Sequence, residues 1–188
     1  MNSRPELWLI RHGETEWSRS GAHTSRTDLP LTAEGEQRAK ALQPRLQMHQ
    51  FALVLASPMR RALDTARLAG FSPQITNDLC EWDYGEYEGR TTPDIQKDAP
   101  GWTIWTADPP GGETTAQVAA RTDRVIARAL ECAGDTALFA HGHILRVLAA
   151  RWLGMEPRGG RYFALSTGSI SVLGWERDSR VITTWNAT

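Results

Sequence analysis

Two histidines in this sequence stand directly behind apolar runs. Leu7-Trp8-Leu9-Ile10 leads into Arg11-His12-Gly13, and Thr136-Ala137-Leu138-Phe139-Ala140 leads into His141-Gly142-His143. Each run reads as a buried strand. A strand has no packing reason to end on a cation or an imidazole. Two such endings imply that histidines from distant segments meet at one edge of a sheet. The chemistry on offer there is phosphate recognition and transfer. An arginine fork such as that of Arg11 matches phosphate oxygens in planar geometry. An imidazole becomes a nucleophile when one ring nitrogen is free and the other is pinned by an acceptor. Neighbouring positive charge keeps it neutral. Gly13 lets the backbone approach a ligand without a Cβ in the way.

Further groups complete the set. The stretch SPMRRALDTA puts Arg60 and Arg61 in the first turn of a helix, where free N–H groups and the helix dipole favour an anion. The stretch CEWDYGEYEGR supplies Glu81, Asp83, Glu86 and Glu88 as candidate proton donors. Taken singly, each has an ordinary explanation: a satisfied turn histidine, solvated arginines, a solvated acidic loop. The order strand–RHG, helix start with paired arginines, acidic loop, strand–HGH carries the functional reading. His141 and His143 also have a spacing that occurs in metal sites. Against this, no His-rich or Cys–His cluster completes a ligand set, and Arg11 and Arg61 would repel a cation. No metal and no cofactor is expected.

The elements that must position these groups follow from pattern. A first strand is expected near 6–10. Thr32 caps a helix through AEGEQRAKAL, with Glu34 and Glu36 in its first turn, and Pro44 ends or kinks it. A strand over 51–56 precedes Ser57-Pro58, which reads as an N-cap and a first-turn proline opening a helix to about Ala69. The segment 71–112 is the least regular part. It is expected to be an excursion that covers the site, with one short helix near 92–98 and with Trp102 and Trp105 set against substrate or core. A helix over 113–132 stops before Gly134. Strand 136–140 and a helix ending at Gly154 follow, and the tail reads as an antiparallel hairpin turning at Asp178-Ser179. Alternating strands and helices predict an α/β fold, a three-layer α/β/α sandwich on a mostly parallel sheet. Ligands in such sheets bind beyond the carboxyl ends of the strands.

Bulk properties narrow the function. At 188 residues the chain fits one domain over its whole length. A net charge of −1 and a pI near 6.5 leave no basic field for nucleic acid or an anionic membrane. Anion recognition must be local. No apolar run approaches the roughly 18 residues of a membrane span, and no secretory signal is visible. The two cysteines, Cys80 and Cys132, are not needed as a staple in a domain of this size. A reduced, cytoplasmic protein is expected; the oligomeric state is not legible.

The residues together carry a family resemblance. From LIRHGETEW through LPLTAEGEQRA, LASPMRRALDTA, EWDYGEYEG and GGET to FAHGHILRVL, the chain resembles the histidine phosphatase superfamily, the phosphoglycerate-mutase-like proteins. The resemblance implies a three-layer sandwich and phosphoryl transfer through a phosphohistidine on His12. It implies a phosphate pocket of Arg11, Arg61 and His141, and Glu81 as proton donor. The family's R-A-x-x-T-A pattern selects Arg61 over Arg60. Gly13, Trp17, Ser18, Thr24, Ser25, Tyr84, Gly142 and His143 fall where relatives contact substrate.

Departures from the mutases favour water as the acceptor. Where mutases have asparagines after the RHG box, this chain has Trp17-Ser18-Arg19-Ser20-Gly21. Where mutases have a basic pair beside the acid, it has Glu81-Trp82-Asp83-Tyr84. The segment between Glu81 and His141 is also shorter. EWSRSGAHTSRTDLPLT resembles the acid-phosphatase and sedoheptulose-bisphosphatase-like members. The reading is a phosphatase for phosphate monoesters of small metabolites, sugar phosphates among them. Mutase-type transfer and a silent phospho-ligand-binding module are the alternatives.

Overall fold

The computed structural model describes residues 4–188. Its strands are β1 (Leu7–Arg11), β2 (Leu53–Ala56), β3 (Gln74–Ile75), β4 (Thr136–Ala140), β5 (Ile170–Glu176) and β6 (Ser179–Ala187). Its helices are α1 (Glu16–Ser20), α2 (Ala33–Ala41), α3 (Gln43–Leu46), α4 (Arg60–Leu68), α5 (Thr92–Asp98), α6 (Thr115–Leu130) and α7 (Gly142–Trp152). The six strands form one sheet in the order β3-β2-β4-β1-β5-β6. β1 to β4 run parallel, while β5 and β6 form the antiparallel hairpin expected of the tail.

Strand alternation divides the interior into two layers. Leu7, Leu9, Leu55 and Leu138 point to one face, where Val118 and Val125 of α6 and Ile144, Leu145 and Leu148 of α7 cover them. Ile10, Ala56, Ala137 and Phe139 point to the other, against Leu42, Leu46, Ala66 and Ala69. This is the expected three-layer sandwich. Among the described residues no helix is long and apolar enough to cross a membrane, and both cysteines are free thiols.

Several boundaries differ from expectation for local reasons. Ser57 does not cap α4. Its backbone N–H donates to Phe139 O at 3.0 Å, which keeps it in the sheet ladder. The helix starts later, with Met59 at the N-cap position and no side-chain cap. Glu113 lies outside α6, because Thr114 and Gln117 form a reciprocal capping box one residue on. Pro44 breaks the second helix as expected, and α3 resumes with proline in its first turn. The excursion over 71–112 is more structured than expected. It adds β3 as a parallel edge strand on β2, and Trp82, Tyr84, Ile95 and Trp102 enter the main core.

Candidate active site

Register explains why the two histidines meet. Arg11 at the end of β1 sits beside Ala140 at the end of β4, and His12 N–H donates to Ala140 O at 3.0 Å. The next residue on each strand is therefore His12 and His141, whose rings lie 5.2 Å apart. The loop before β5 fixes the same backbone from the other side. Gly168 N–H donates to Arg11 O and His12 O at 3.1 and 3.0 Å.

His12 has its tautomer set locally. Nδ1–H donates to Gly13 O at 2.6 Å, which leaves the Nε2 lone pair free. Burial, then the charges of Arg11 and Arg61, hold its pKa well below the ordinary 6.5. His141 is held differently. Its Nδ1 accepts from Arg61 Nε at 3.1 Å, so Nε2–H donates to Ser57 Oγ at 2.8 Å. Burial and Arg61 push its pKa down as well. Both nitrogens of His141 are thus engaged, and Nδ1 of His143 meets the Tyr84 hydroxyl at 2.6 Å. With both ring nitrogens engaged, His141 has no free lone pair to offer a metal ion.

Arg11 and Arg61 are both deep. The Arg11 Nη1 donates to Leu165 O, while its Nε is buried without a partner. A buried, unpaired N–H is costly unless a ligand fills the place. The Arg11 guanidinium packs against Gly142, where a Cβ would stand 3.4 Å from it. Arg61 is fully buried. It clamps the carbonyls of Thr24, Ser25 and Thr27 at 3.0 to 3.3 Å. Arg60 instead faces solvent and pairs with Asp64 at 3.1 Å, so Arg61 is the member of the pair that turns inward.

Glu81 joins the far loop to α7. Its carboxylate accepts from the backbone N–H groups of Trp82, His143 and Ile144 at 2.8, 2.9 and 2.8 Å. Its own backbone is gripped from behind by Arg121 of α6. Arg121 donates to the carbonyls of Asp78, Cys80 and Glu81 at 3.0, 2.6 and 3.1 Å, and to both oxygens of Glu113 at 2.8 Å. Arg121 therefore positions Glu81 without facing the cleft, and the sequence reading did not single it out.

The cleft above His12 has a volume of about 280 Å³. Arg11, His12, Ser18, Thr24, Glu81, Tyr84, Gly142 and His143 line it. Arg61 and His141 lie behind that lining. Other expected contacts point elsewhere. The open side of Gly13 faces Gly35, where a Cβ would come within 2.4 Å of the Gly35 carbonyl oxygen. Its glycine requirement is helix packing rather than ligand approach. Trp17 packs on Gly89. Ser25 is buried, its hydroxyl bound to Glu88 at 2.5 Å and its N–H to the same carboxylate. Thr15, His23, Thr92 and Arg146 line the cleft without having been singled out. His23 is buried against Tyr84 and Trp102, and burial lowers its pKa to about 4. Arg146 had a signal: it lies three residues beyond His143, on the same face of a helix.

Fold and site together define an α/β/α protein with a cleft of about 280 Å³, lined by Arg11 and Arg146, at the carboxyl edge of its parallel strands. The chain belongs to the histidine phosphatase superfamily (branch 1), whose family description matches residues 7–188. It is 43% identical over 180 residues to an acid phosphatase of Mycobacterium tuberculosis, covering 93% of this chain and 88% of that one. It is 37% identical over 186 residues to the sedoheptulose 1,7-bisphosphatase of Saccharomyces cerevisiae, covering 80% of this chain and 68% of that one. A solved open-reading-frame product of M. tuberculosis superposes with a TM-score of 0.94 at 40% identity, covering 98% of both chains. Membership and these phosphatase relatives make the protein a phosphoric monoester hydrolase.

Proposed function

We propose that the protein hydrolyses phosphate monoesters of small metabolites through a phosphohistidine on His12. One observation carries the reading. A neutral imidazole with Nδ1 pinned to Gly13 O stands on the cleft floor beside the buried, unpartnered Nε of Arg11. Nε2 of His12 attacks phosphorus as the bond to the leaving oxygen breaks. Glu81 gives that oxygen its proton, and then takes one from the water that attacks the phosphohistidine. Inorganic phosphate leaves and His12 is regenerated. Phosphoryl transfer asks mainly for positioning and charge neutralisation. Arg11 supplies these directly, and Arg61 adds positive charge from behind His141. Gly13, Trp17 and Ser25 act as supports of the site, while Ser18, Thr24, Tyr84, Gly142 and His143 meet the rest of the substrate. The relative named for sedoheptulose 1,7-bisphosphate supports a sugar phosphate as substrate.

The test is rapid quenching during turnover. Phosphate should be trapped on the protein in an acid-labile, alkali-stable bond that maps to His12. His12→Ala should abolish both the trapped species and turnover, while His141→Ala should slow turnover yet still permit labelling. Label mapping to His141, or near-normal turnover in His12→Ala, overturns the assignment. Turnover lost on chelation and restored by magnesium or zinc overturns the metal-free mechanism.

A further inference from the structure

Residues 163–166 belong to no helix or strand. Among the described residues, no backbone–backbone hydrogen bond holds Ala164, Leu165 or Ser166. A segment without such bonds is ordinarily loose. Leu165 is nevertheless buried between two exposed neighbours, and it lines the cleft. Its carbonyl accepts from Arg11 Nη1, the one hydrogen bond that the Arg11 side chain makes among the described residues. Arg11 is the cation that meets the transferred phosphate in the proposed reaction. Its direction is therefore set by a peptide group that no ladder fixes.

The end of β6 supplies what the backbone lacks. Trp185 Nε1–H donates to Ala164 O at 2.6 Å, and Ser166 N–H donates to Asn186 Oδ1 at 2.7 Å. Asn186 Nδ2 also donates to Ser166 Oγ at 3.3 Å. Leu165 is thus bracketed on both sides by two consecutive residues of one strand. A regular strand sends consecutive side chains to opposite faces, so β6 gives up its regularity here. Val172 pairs with Thr184 and Ile170 with Ala187, which leaves Trp185 and Asn186 together opposite the single residue Ser171. This is a β-bulge, a device that re-aims side chains beside active sites. Asn186 N–H turns to Ser171 Oγ at 2.9 Å. Its φ is 53°, in the left-handed region that asparagine tolerates better than most residues. Backbone in that region persists where its surroundings hold it.

We propose that Trp185 and Asn186 are positioning residues for the reaction: from the bulge of β6 they clamp the peptide groups on either side of Leu165, and the Leu165 carbonyl holds the Arg11 guanidinium toward the cleft. Neither residue lines the cleft, so they act on phosphate only through Arg11. The inference rests on the phosphatase reading above, in which Arg11 binds the transferred phosphate. It adds the tail strand to the parts of the fold that pre-organise the floor.

The experiment measures the Kd for inorganic phosphate by calorimetry and the KM and kcat for p-nitrophenyl phosphate, beside urea unfolding. Asn186→Gly suits the left-handed backbone and removes only the side-chain clamp. It should weaken phosphate binding by at least about fivefold and raise KM in step. Asn186→Asp keeps the acceptor for Ser166 N–H and should restore binding to within about twofold of wild type, at an ionic strength that screens its added charge. Trp185→Phe keeps the ring packed on Phe163 but loses the N–H. It should weaken phosphate by at least about twofold, and it carries the test if Asn186→Gly does not fold. Phosphate binding unchanged in both Asn186→Gly and Trp185→Phe, whatever happens to their unfolding midpoints, overturns the clamp and leaves these residues a structural role alone. Asn186→Asp binding phosphate as weakly as Asn186→Gly overturns it too. Failure of the wild type to bind phosphate and to hydrolyse p-nitrophenyl phosphate would instead overturn the phosphatase reading.

Discussion

The floor and the outer wall of the cleft are built by different means. The floor comes from strand endings. β1, β4 and β2 deliver His12, His141 and Ser57 side by side because the ladders Arg11↔Ala140 and Ala56↔Phe139 leave no other register. A slip of one residue would turn every core side chain to the wrong face, so the whole sheet enforces this geometry. The wall is assembled from side chains on loops and one helix: His23, Tyr84, Trp105, His143 and Arg146. No ladder fixes them. Their placement depends on ring packing and a few hydrogen bonds, such as Tyr84 to His143 at 2.6 Å. Chemistry that needs a nucleophile held in line is therefore written into the sheet, while substrate choice is written into parts that can change without disturbing it.

Glu81 belongs to both regions, and replacing it should produce the largest effect short of removing His12 itself. Its loop comes from the irregular segment, yet its carboxylate is fixed on the first N–H groups of α7. Glu81→Gln removes the transferable proton and also sets an amide N–H₂ against one of three backbone donors. With alkyl phosphates, whose leaving oxygen must be protonated, kcat should fall by roughly 10²–10⁴. With p-nitrophenyl phosphate the loss should be much smaller. An equal loss on both substrates would mean that Glu81 only shapes the cleft, and the floor would then have to supply the proton itself.

The two tryptophans of the excursion sharpen the comparison further. Both were expected to bear on substrate or core, and the structure separates them. Trp102 is almost fully buried, packed on Tyr87, and its Nε1–H donates to Ala107 O at 3.1 Å. Trp102→Ala should cost about 3–5 kcal/mol of stability, read from urea unfolding. Trp105 is half-buried between His143 and Arg146. Trp105→Ala should cost less stability than that and should raise KM for substrates more than it lowers kcat. A KM effect confined to Trp102→Ala would reverse the assignment of core and wall.

The same division governs what could be read from sequence. β4 was legible to the residue because all five of its positions are buried and four of them are apolar. The pair of strand–histidine endings followed from it, whereas Arg61 was chosen over Arg60 by the family's R-A-x-x-T-A pattern. β3 was not legible: it has two residues, both exposed, and exists because β2 offers it an edge. Gly13 was assigned to the ligand because its true neighbour, Gly35, lies on α2, and nothing local announces that contact. Ser57 looked like a helix cap because the sheet ladder that claims it is long-range. Thr65 was likewise hidden: its hydroxyl accepts from Gly13 N–H at 3.0 Å and so steadies the floor from α4. His23 in the wall carries no local pattern of its own, since only tertiary packing brings it to the cleft.

The smallest expected effect tests whether the wall is as dry as the floor. His12 and His141 on the floor, and His23 and His143 in the wall, all have pKa values lowered chiefly by burial. In the unfolded chain each returns to the ordinary value near 6.5. Below that pH the unfolded state takes up protons that the native state refuses. Stability is therefore full above about pH 6.5 and is lost as pH falls, by up to about 1.4 kcal/mol per pH unit for each such histidine. For His23 the loss continues down to about pH 4, where the native ring itself protonates. Its surroundings on every side are Tyr84, Trp102, His143 and Thr92, with Glu88 the charge that acts on it. Glu88 is spent on the backbone of Ser25 and Thr27. His23→Gln should thus flatten the stability slope between pH 6.5 and 5 by roughly 1.4 kcal/mol per unit at its lower end, measured as urea unfolding free energy at each pH. A slope identical to wild type would mean that His23 titrates in the native protein as it does unfolded. The wall would then be open to water, and the contrast with the floor would extend from architecture to solvation.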